Sequence, residues 1–191
     1  RASGEGVPNT PFRAFGSRID ERARAALVDL LRALSKRAVQ PTTNVTAPAI
    51  HVPPDRLARA SSESDHWLMY GGDYGQTRFS ALKAINRTTV RNLVPVWSFQ
   101  TGVADGLTGM PLVVDGVIFL TTAWNHAFAI DARTGAELWH YQRRLPPANE
   151  LSFCCGPSNR ALAIWNDLVY MATLDAHLVA LEARTGRVRW D

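Results

Sequence analysis

Residues 117–139, VIFLTTAWNHAFAIDARTGAELW, and residues 168–190, LVYMATLDAHLVALEARTGRVRW, align without a gap at a constant offset of 51. Eight positions are identical: Thr122/Thr173, His126/His177, Ala129/Ala180, Ala132/Ala183, Arg133/Arg184, Thr134/Thr185, Gly135/Gly186 and Trp139/Trp190. Most other pairs keep apolar character, as in Phe119/Tyr170 and Ile130/Leu181. Each copy carries two short runs of β-branched and aromatic residues, Val117–Thr122 and Ala127–Ile130 in the first. An Asp/Glu-Ala-Arg-Thr-Gly turn and a short strand ending in Trp follow. That order predicts a β-meander. Trp97, closing VPVWSF, reads as an earlier copy of the terminal Trp, 42 residues before Trp139. Periods of about 40–50 residues with several strands each predict a β-propeller, in which every blade needs neighbours to bury its faces. The expected fold class is all-β, a partial propeller.

The two spacings differ by nine residues, and the difference has an address. Trp97 to Gly116 spans 19 residues and Trp139 to the equivalent Asp167 spans 28, so the insertion lies between repeats, in HYQRRLPPANELSFCCGPSNRALAIWND (140–167). Repeated scaffolds keep their strands regular and carry function on lengthened loops of one face. The only two cysteines of the chain, Cys154 and Cys155, sit in this loop. A relaxed disulfide wants Cα atoms roughly 4.4–6.8 Å apart, whereas sequence neighbours stand about 3.8 Å apart across a trans peptide. A ring between them demands a distorted or cis peptide, and such strain persists where a site uses it. The alternative is two small buried apolar residues. Zinc is disfavoured, because no second cysteine pair completes a tetrahedral site.

Outside the repeats the 191-residue chain changes character. Residues 1–60 hold 10 Arg/Lys against 5 Asp/Glu, and residues 61–191 hold 11 against 12, so the basic balance belongs to the first third. The arginines are scattered, with no run that would track a phosphate backbone, which argues against nucleic-acid binding. No window approaches a membrane span of about 18 apolar residues. Residues 17–35 predict one amphipathic helix, with Ser17 and Asp20 spaced like a capping box and Leu27, Leu30, Leu31 and Leu34 at helical intervals. From Lys36 to Ser64, Pro41, Pro48, Pro53 and Pro54 among Ser and Thr predict an extended linker. The expected organisation is a helical segment (1–35), a linker (36–64) and propeller blades (65–191).

Three features of residues 65–191 resemble the pyrroloquinoline quinone (PQQ) dependent alcohol dehydrogenases, a family of eight-bladed propellers. One is Cys154-Cys155-Gly-Pro-Ser-Asn159-Arg160-Ala. The second is Ala-x-Asp-x-x-Thr-Gly-x-x-x-Trp, present from Ala129 to Trp139 and, with Glu182 in the Asp place, from Ala180 to Trp190. The third is the entry segment Trp67-Leu-Met-Tyr-Gly-Gly-Asp-Tyr-Gly-Gln-Thr-Arg-Phe-Ser80, with Leu93–Trp97 after it.

The resemblance implies a disulfide between Cys154 and Cys155 lying flat against the quinone, and Arg160 contacting its carboxylates or oxygens. A planar, permanently charged fork of donors suits that role. It also implies alcohol oxidation by PQQ, with a calcium ion polarising the quinone and an Asp as general base. Those ligands, the base and most PQQ contacts fall in later blades beyond Asp191, so no catalytic or metal-binding residue is expected here and the chain reads as an N-terminal fragment, inactive alone. One position departs. Thr108, before Gly109-Met110-Pro111-Leu-Val-Val114, stands where the family has a Glu that contacts PQQ, and Asp105 is the nearest carboxylate that could substitute.

Residues 8–35 resemble the end of a class I c-type cytochrome, without a Met before Met69 and without Cys-x-x-Cys-His. This likeness implies haem c in an upstream module, an order similar to the polyvinyl alcohol dehydrogenases. The function expected is oxidation of an alcohol substrate with electrons passing to a cytochrome c acceptor. The vicinal disulfide requires an oxidising compartment, the periplasm or the cell exterior. The alternative is a non-catalytic propeller of the same repeat type that binds partner proteins in outer-membrane assembly.

Overall fold

A computed structural model describes residues 20–36, 47–152 and 155–191 of the chain. Two compact units result, residues 1–38 and 39–191.

In the first unit the described element is helix α1, Glu21–Lys36. Its start differs from the capping box expected at Ser17, which lies outside the described residues. Asp20 is the cap: its Oδ1 accepts the Ala23 N–H at 2.7 Å, and its carbonyl accepts the Arg24 N–H at 2.9 Å. The aspartate satisfies an orphan donor of the first turn, and Glu21 adds negative charge where the helix dipole favours it. The cytochrome-like loop at residues 8–16 lies outside the described residues.

The second unit contains two four-stranded antiparallel sheets in meander order. The first is β1 (Leu112–Val114), β2 (Val117–Thr122), β3 (His126–Asp131) and β4 (Glu137–Gln142). The second is β5 (Ala163–Trp165), β6 (Leu168–Ala172), β7 (Leu178–Glu182) and β8 (Val188–Trp190). Every strand of the first sheet has its counterpart 51 residues on. Even the register shift recurs, between Ala129 and Ile130 and again between Ala180 and Leu181. The alternation in β2 buries Val117 and Phe119, whereas β6 buries Val169 and Met171, the opposite face of the repeat. One core runs through both sheets, with Phe119, Ala127, Ala129 and Trp139 from the first and Val169, Met171, Val179 and Leu181 from the second. These are two consecutive blades of a β-propeller.

The tryptophans lock one blade onto the next. Trp139 ends against the second blade's hairpin, its indole N–H donating to the Ala183 carbonyl at 2.9 Å. Trp97 makes the same bond to Ala132 of the first blade at 3.1 Å. Both rings lie on a glycine in left-handed backbone, Gly186 (φ +70°) and Gly135 (φ +75°), where a Cβ would stand 2.7 and 2.6 Å from the indole. Glycine is required twice over, for the dihedral and for the space. Asp131 holds its hairpin by accepting the Arg133 and Thr134 N–H groups and the Thr134 hydroxyl, while Glu182 keeps the hydroxyl bond, from Thr185 at 2.7 Å. Trp97 therefore behaves as a blade-terminal Trp, although Leu93–Phe99 pairs with no strand among the described residues.

The expected linker is corrected from residue 47 onward. Ala47, Ile50 and Val52 are buried, and Val52 pairs with Asn166 through hydrogen bonds of 2.8 and 2.7 Å. Pro54 opens the short helix α2, Pro54–Ala58, at a position where the missing N–H is no loss. Arg56 then binds Asp115 with both terminal nitrogens, at 2.7 and 3.0 Å, and Glu63 through Nε at 3.0 Å. Proline blocked continuous secondary structure here without preventing docking, because the segment pairs with the blades instead of with itself. Residues 37–46 lie outside the described residues. No described helix is long and apolar enough to cross a membrane.

Candidate cofactor site

Antiparallel order sorts the connections by end. The β1–β2 and β3–β4 hairpins, with the tryptophan-bearing glycines, emerge at one end, and the β2–β3 turn and the long β4–β5 connection emerge at the other. The described site residues, Thr108, Cys155 and Arg160, belong to the second end.

Thr108 and Arg160, 52 residues apart in sequence, lie on neighbouring segments. Met110 donates its N–H to the Arg160 carbonyl at 2.8 Å, and Met110 and Ala161 form a parallel bridge. Beside them Gly109 packs so closely on β2 that a Cβ would lie 2.5 Å from the Thr121 carbonyl oxygen. The segment after the cysteines is held from below by buried polar groups. Asn159 donates through Nδ2 to the Ala172 carbonyl at 2.8 Å and to Asn125 Oδ1 at 3.3 Å, and its own carbonyl accepts the Thr121 hydroxyl at 3.2 Å. Asn125 Oδ1 also accepts the Leu174 N–H at 3.3 Å. The loop thus bridges both blades, with a fully buried asparagine at the joint.

The electrostatics distinguish two arginines at this end. Arg143, nearly buried, is matched by Asp175 at 2.8 Å and Asp191 at 2.6 Å. Arg160 is exposed and has no hydrogen-bond or ion-pair partner for its guanidinium among the described residues. Asn125 Nδ2, fully buried, has none either. Thr108 is exposed, and the Asp105 carboxylate accepts the indole N–H of Trp124. A flat, polyanionic group such as PQQ fits the donors exposed here, a guanidinium without a protein partner among the described residues and a hydroxyl on the neighbouring segment. Asp105, the nearest carboxylate to Thr108, is thus held by one oxygen against the indole of Trp124. Cys155 is exposed in the same loop; Cys154, and with it the expected disulfide, lies outside the described residues. Among the described residues no group of three or more His, Cys, Asp or Glu could hold a metal ion.

The sequence reading missed Trp124, Asn125 and Asn159 as structural parts of this end. The signal was present in the repeat: Trp124-Asn125 stands where the second copy has Asp175-Ala176. The shared His126 and His177 occupy equivalent places, His126 beside His140 at 2.8 Å and His177 beside Asp191 at 2.8 Å. Burial holds the pKa of both His126 and His140 below the usual histidine value, with the mutual repulsion of the pair adding to it at His126.

Consecutive Trp-locked blades with an inserted, arginine-bearing loop between them have the architecture of a quinoprotein propeller. Residues 67–190 match the PQQ glucose/ethanol/alcohol dehydrogenase β-propeller domain, and the chain belongs to this family. It is 40% identical over 136 residues to the dehydrogenase subunit of the quinone alcohol dehydrogenase of Komagataeibacter europaeus, covering 71% of this chain and 18% of that protein. It is 47% identical over 125 residues to the quinone 1-butanol dehydrogenase of Thauera butanivorans, covering 64% and 20% respectively. Among solved structures, the quinohaemoprotein alcohol dehydrogenase of Comamonas testosteroni superposes with a TM-score of 0.69 at 34% identity, covering 73% of this chain and 21% of that one. The chain spans about a fifth of the length of the relatives it matches.

Proposed function

We propose that this chain forms the first blades of a periplasmic PQQ-dependent dehydrogenase that oxidises an alcohol and passes the electrons to a c-type cytochrome. The observation that carries the reading is the unmatched Arg160 guanidinium on the segment after Cys155, bonded through its carbonyl to the segment that bears Thr108. When bound, PQQ supplies a two-electron acceptor for the alcohol. Arg160 offers its planar fork to the quinone's carboxylates or oxygens, Thr108 offers a hydroxyl, and Cys155, in a ring with Cys154, covers one face of the slot. The neutral Thr108 adds no negative charge of its own beside the Arg160 guanidinium, which favours an anionic ligand there.

Calcium and the general base are assigned to the part of the relatives' length that this chain does not span. The quinohaemoprotein relatives support a haem-bearing module, and the helix at Glu21–Lys36 is assigned to its end. The periplasmic location follows from the proposed vicinal disulfide, which a reducing cytosol would open.

Reading the gene beyond the codon for Asp191 tests the proposal directly. Five or six further Trp-terminated repeats with an Asp base and carboxylate or Asn metal ligands are expected, and a frame without them refutes it. In the full-length protein, titration of the apo form with PQQ and calcium should restore dye reduction by alcohols, and Cys155→Ser should abolish it.

A further inference from the structure

We propose that Trp124 is a positioning residue of the quinone pocket, fastening the Thr108 loop to the Cys155–Arg160 loop, a role that rests on the quinone function proposed above. Its backbone N–H donates to the Pro157 carbonyl at 2.9 Å, between Cys155 and Arg160. Its indole N–H donates to the Asp105 carboxylate, three residues before Thr108. The next residue, Asn125, accepts from Asn159 at 3.3 Å. Thr108 therefore sits between two fixed points, Asp105 on Trp124 and Gly109–Met110 on Thr121 and Arg160.

The backbone supports a dedicated role. Trp124 and Asn125 both take left-handed dihedrals, φ +61° and +56°, whereas the corresponding turn of the second blade has one such residue, Ala176 at +62°. The turn can thus be made with a single left-handed residue. A bulky side chain rarely adopts that region, and it persists there only when its surroundings over-determine it. Core packing is not the reason, because Trp124 is half-buried and its bond to Asp105 is exposed. It is not a blade lock either, since Trp97 and Trp139 have that role at the opposite end.

Trp124→Phe keeps the ring and removes the indole donor; Asp105→Ala removes the acceptor, and Asp105→Asn retains an oxygen to accept. In the apo-protein, exchange of the Met110 amide, whose N–H donates to the Arg160 carbonyl, should quicken about tenfold in Trp124→Phe and Asp105→Ala and stay within about threefold of wild type in Asp105→Asn. In the full-length protein the PQQ dissociation constant, read by equilibrium dialysis, should rise about tenfold in the first two variants and recover in Asp105→Asn. Unchanged exchange overturns the fastening. Faster exchange with unchanged PQQ affinity overturns the positioning role, as does an Asp105→Asn protein that behaves like Asp105→Ala. A wild type that binds no PQQ overturns the quinone function and the positioning role with it, and the exchange data then still report separately on the fastening.

Discussion

Gly186→Ala measures how much the seat of an indole on a glycine contributes to joining the blades. Its control is Gly116→Ala. Both glycines are left-handed, at φ +70° and +78°, but a Cβ on Gly186 would lie 2.7 Å from Trp139, whereas one on Gly116 meets nothing within 4 Å. Each substitution costs roughly 1–2 kcal/mol for placing a Cβ in the left-handed region. Only Gly186→Ala adds overpacking, about 1–3 kcal/mol, because the neighbour is a buried, fused ring and not the end of a flexible chain. If the ring retreats, the Trp139 bond to the Ala183 carbonyl is lost as well, about 1 kcal/mol more. The excess of Gly186→Ala over Gly116→Ala is then about 2–4 kcal/mol. For a domain of this size that corresponds to about 4–16 °C in Tm. Far-UV circular dichroism melts of the two variants beside wild type give the comparison, and the double variant Gly186→Ala/Trp139→Ala should be far less destabilised than the sum of its parts. Equal losses for the two glycines, or additivity in the double variant, would refute the docking argument.

Asp115→Asn should release the segment 51–66 from the β1–β2 hairpin at a cost of roughly 1–2 kcal/mol, because Arg56 loses a two-pronged partner that is only partly exposed. The Arg56 guanidinium holds the Asp115 carboxyl below its usual value of 3.8. Its stabilisation is therefore present above that pH and lost as pH falls through the lowered value, so the variant's urea midpoints should show a flatter acid limb. Burial lowers the pKa of His126 and His140 from 6.5. The unfolded chain takes up protons first, so stability should fall as pH drops below about 6.5, and His140→Gln should reduce that slope in midpoints measured across the same pH series. Arg160→Ala in the full-length protein should weaken PQQ binding by about a hundredfold, and Arg160→Lys by about tenfold, since the charge stays and the fork is lost. Both should leave Tm within about 2 °C of wild type, and a large Tm loss would mean that the guanidinium has a structural partner.

The strand positions were readable because each is encoded locally, as a short alternating run repeated at a fixed offset, and the sheets follow that offset down to the shared register shift at Ala129 and Ala180. The direction of docking was not. Ala129 to Trp139 reads as one motif, but the Trp of one copy serves the turn of the next, a relation that exists only once blades are stacked. The same holds for Val52, whose partner Asn166 lies more than a hundred residues away with no local signal, and for Pro54, which reads as a breaker until a helix begins on it. At the candidate site the arginine and the threonine were identified by motif position, but their proximity depends on the parallel bridge between Met110 and Ala161, which no periodicity announces.

The internal repeat also separates scaffold from site without recourse to any other sequence. Six of the eight identities fall between Ala129 and Trp139, at the end where indole, glycine and carbonyl must meet in the same geometry at every blade junction. At the opposite end the copies diverge in chemistry at equivalent places: Trp124 against Asp175, Asn125 against Ala176, His140 against Asp191. In the second copy Asp175 and Asp191 are tied up by Arg143, a salt-bridged joint between blades. In the first copy the same places hold an indole bonded to Asp105, a buried amide with one donor unmatched, and a paired histidine. A repeated unit has no physical need to leave a buried donor unpaired in one copy while the other fills the equivalent position with alanine. The unpaired Asn125 amide lies beside the inserted loop that carries Cys155 and Arg160, so the proposed cofactor surface falls along the junction of the two blades. Filling the gap should then separate the two roles. Asn125→Leu removes the orphan donor together with the acceptor for Asn159 and Leu174, so it should lower Tm by several degrees, whereas Thr108→Val, on the exposed rim, should leave Tm unchanged and weaken PQQ binding alone.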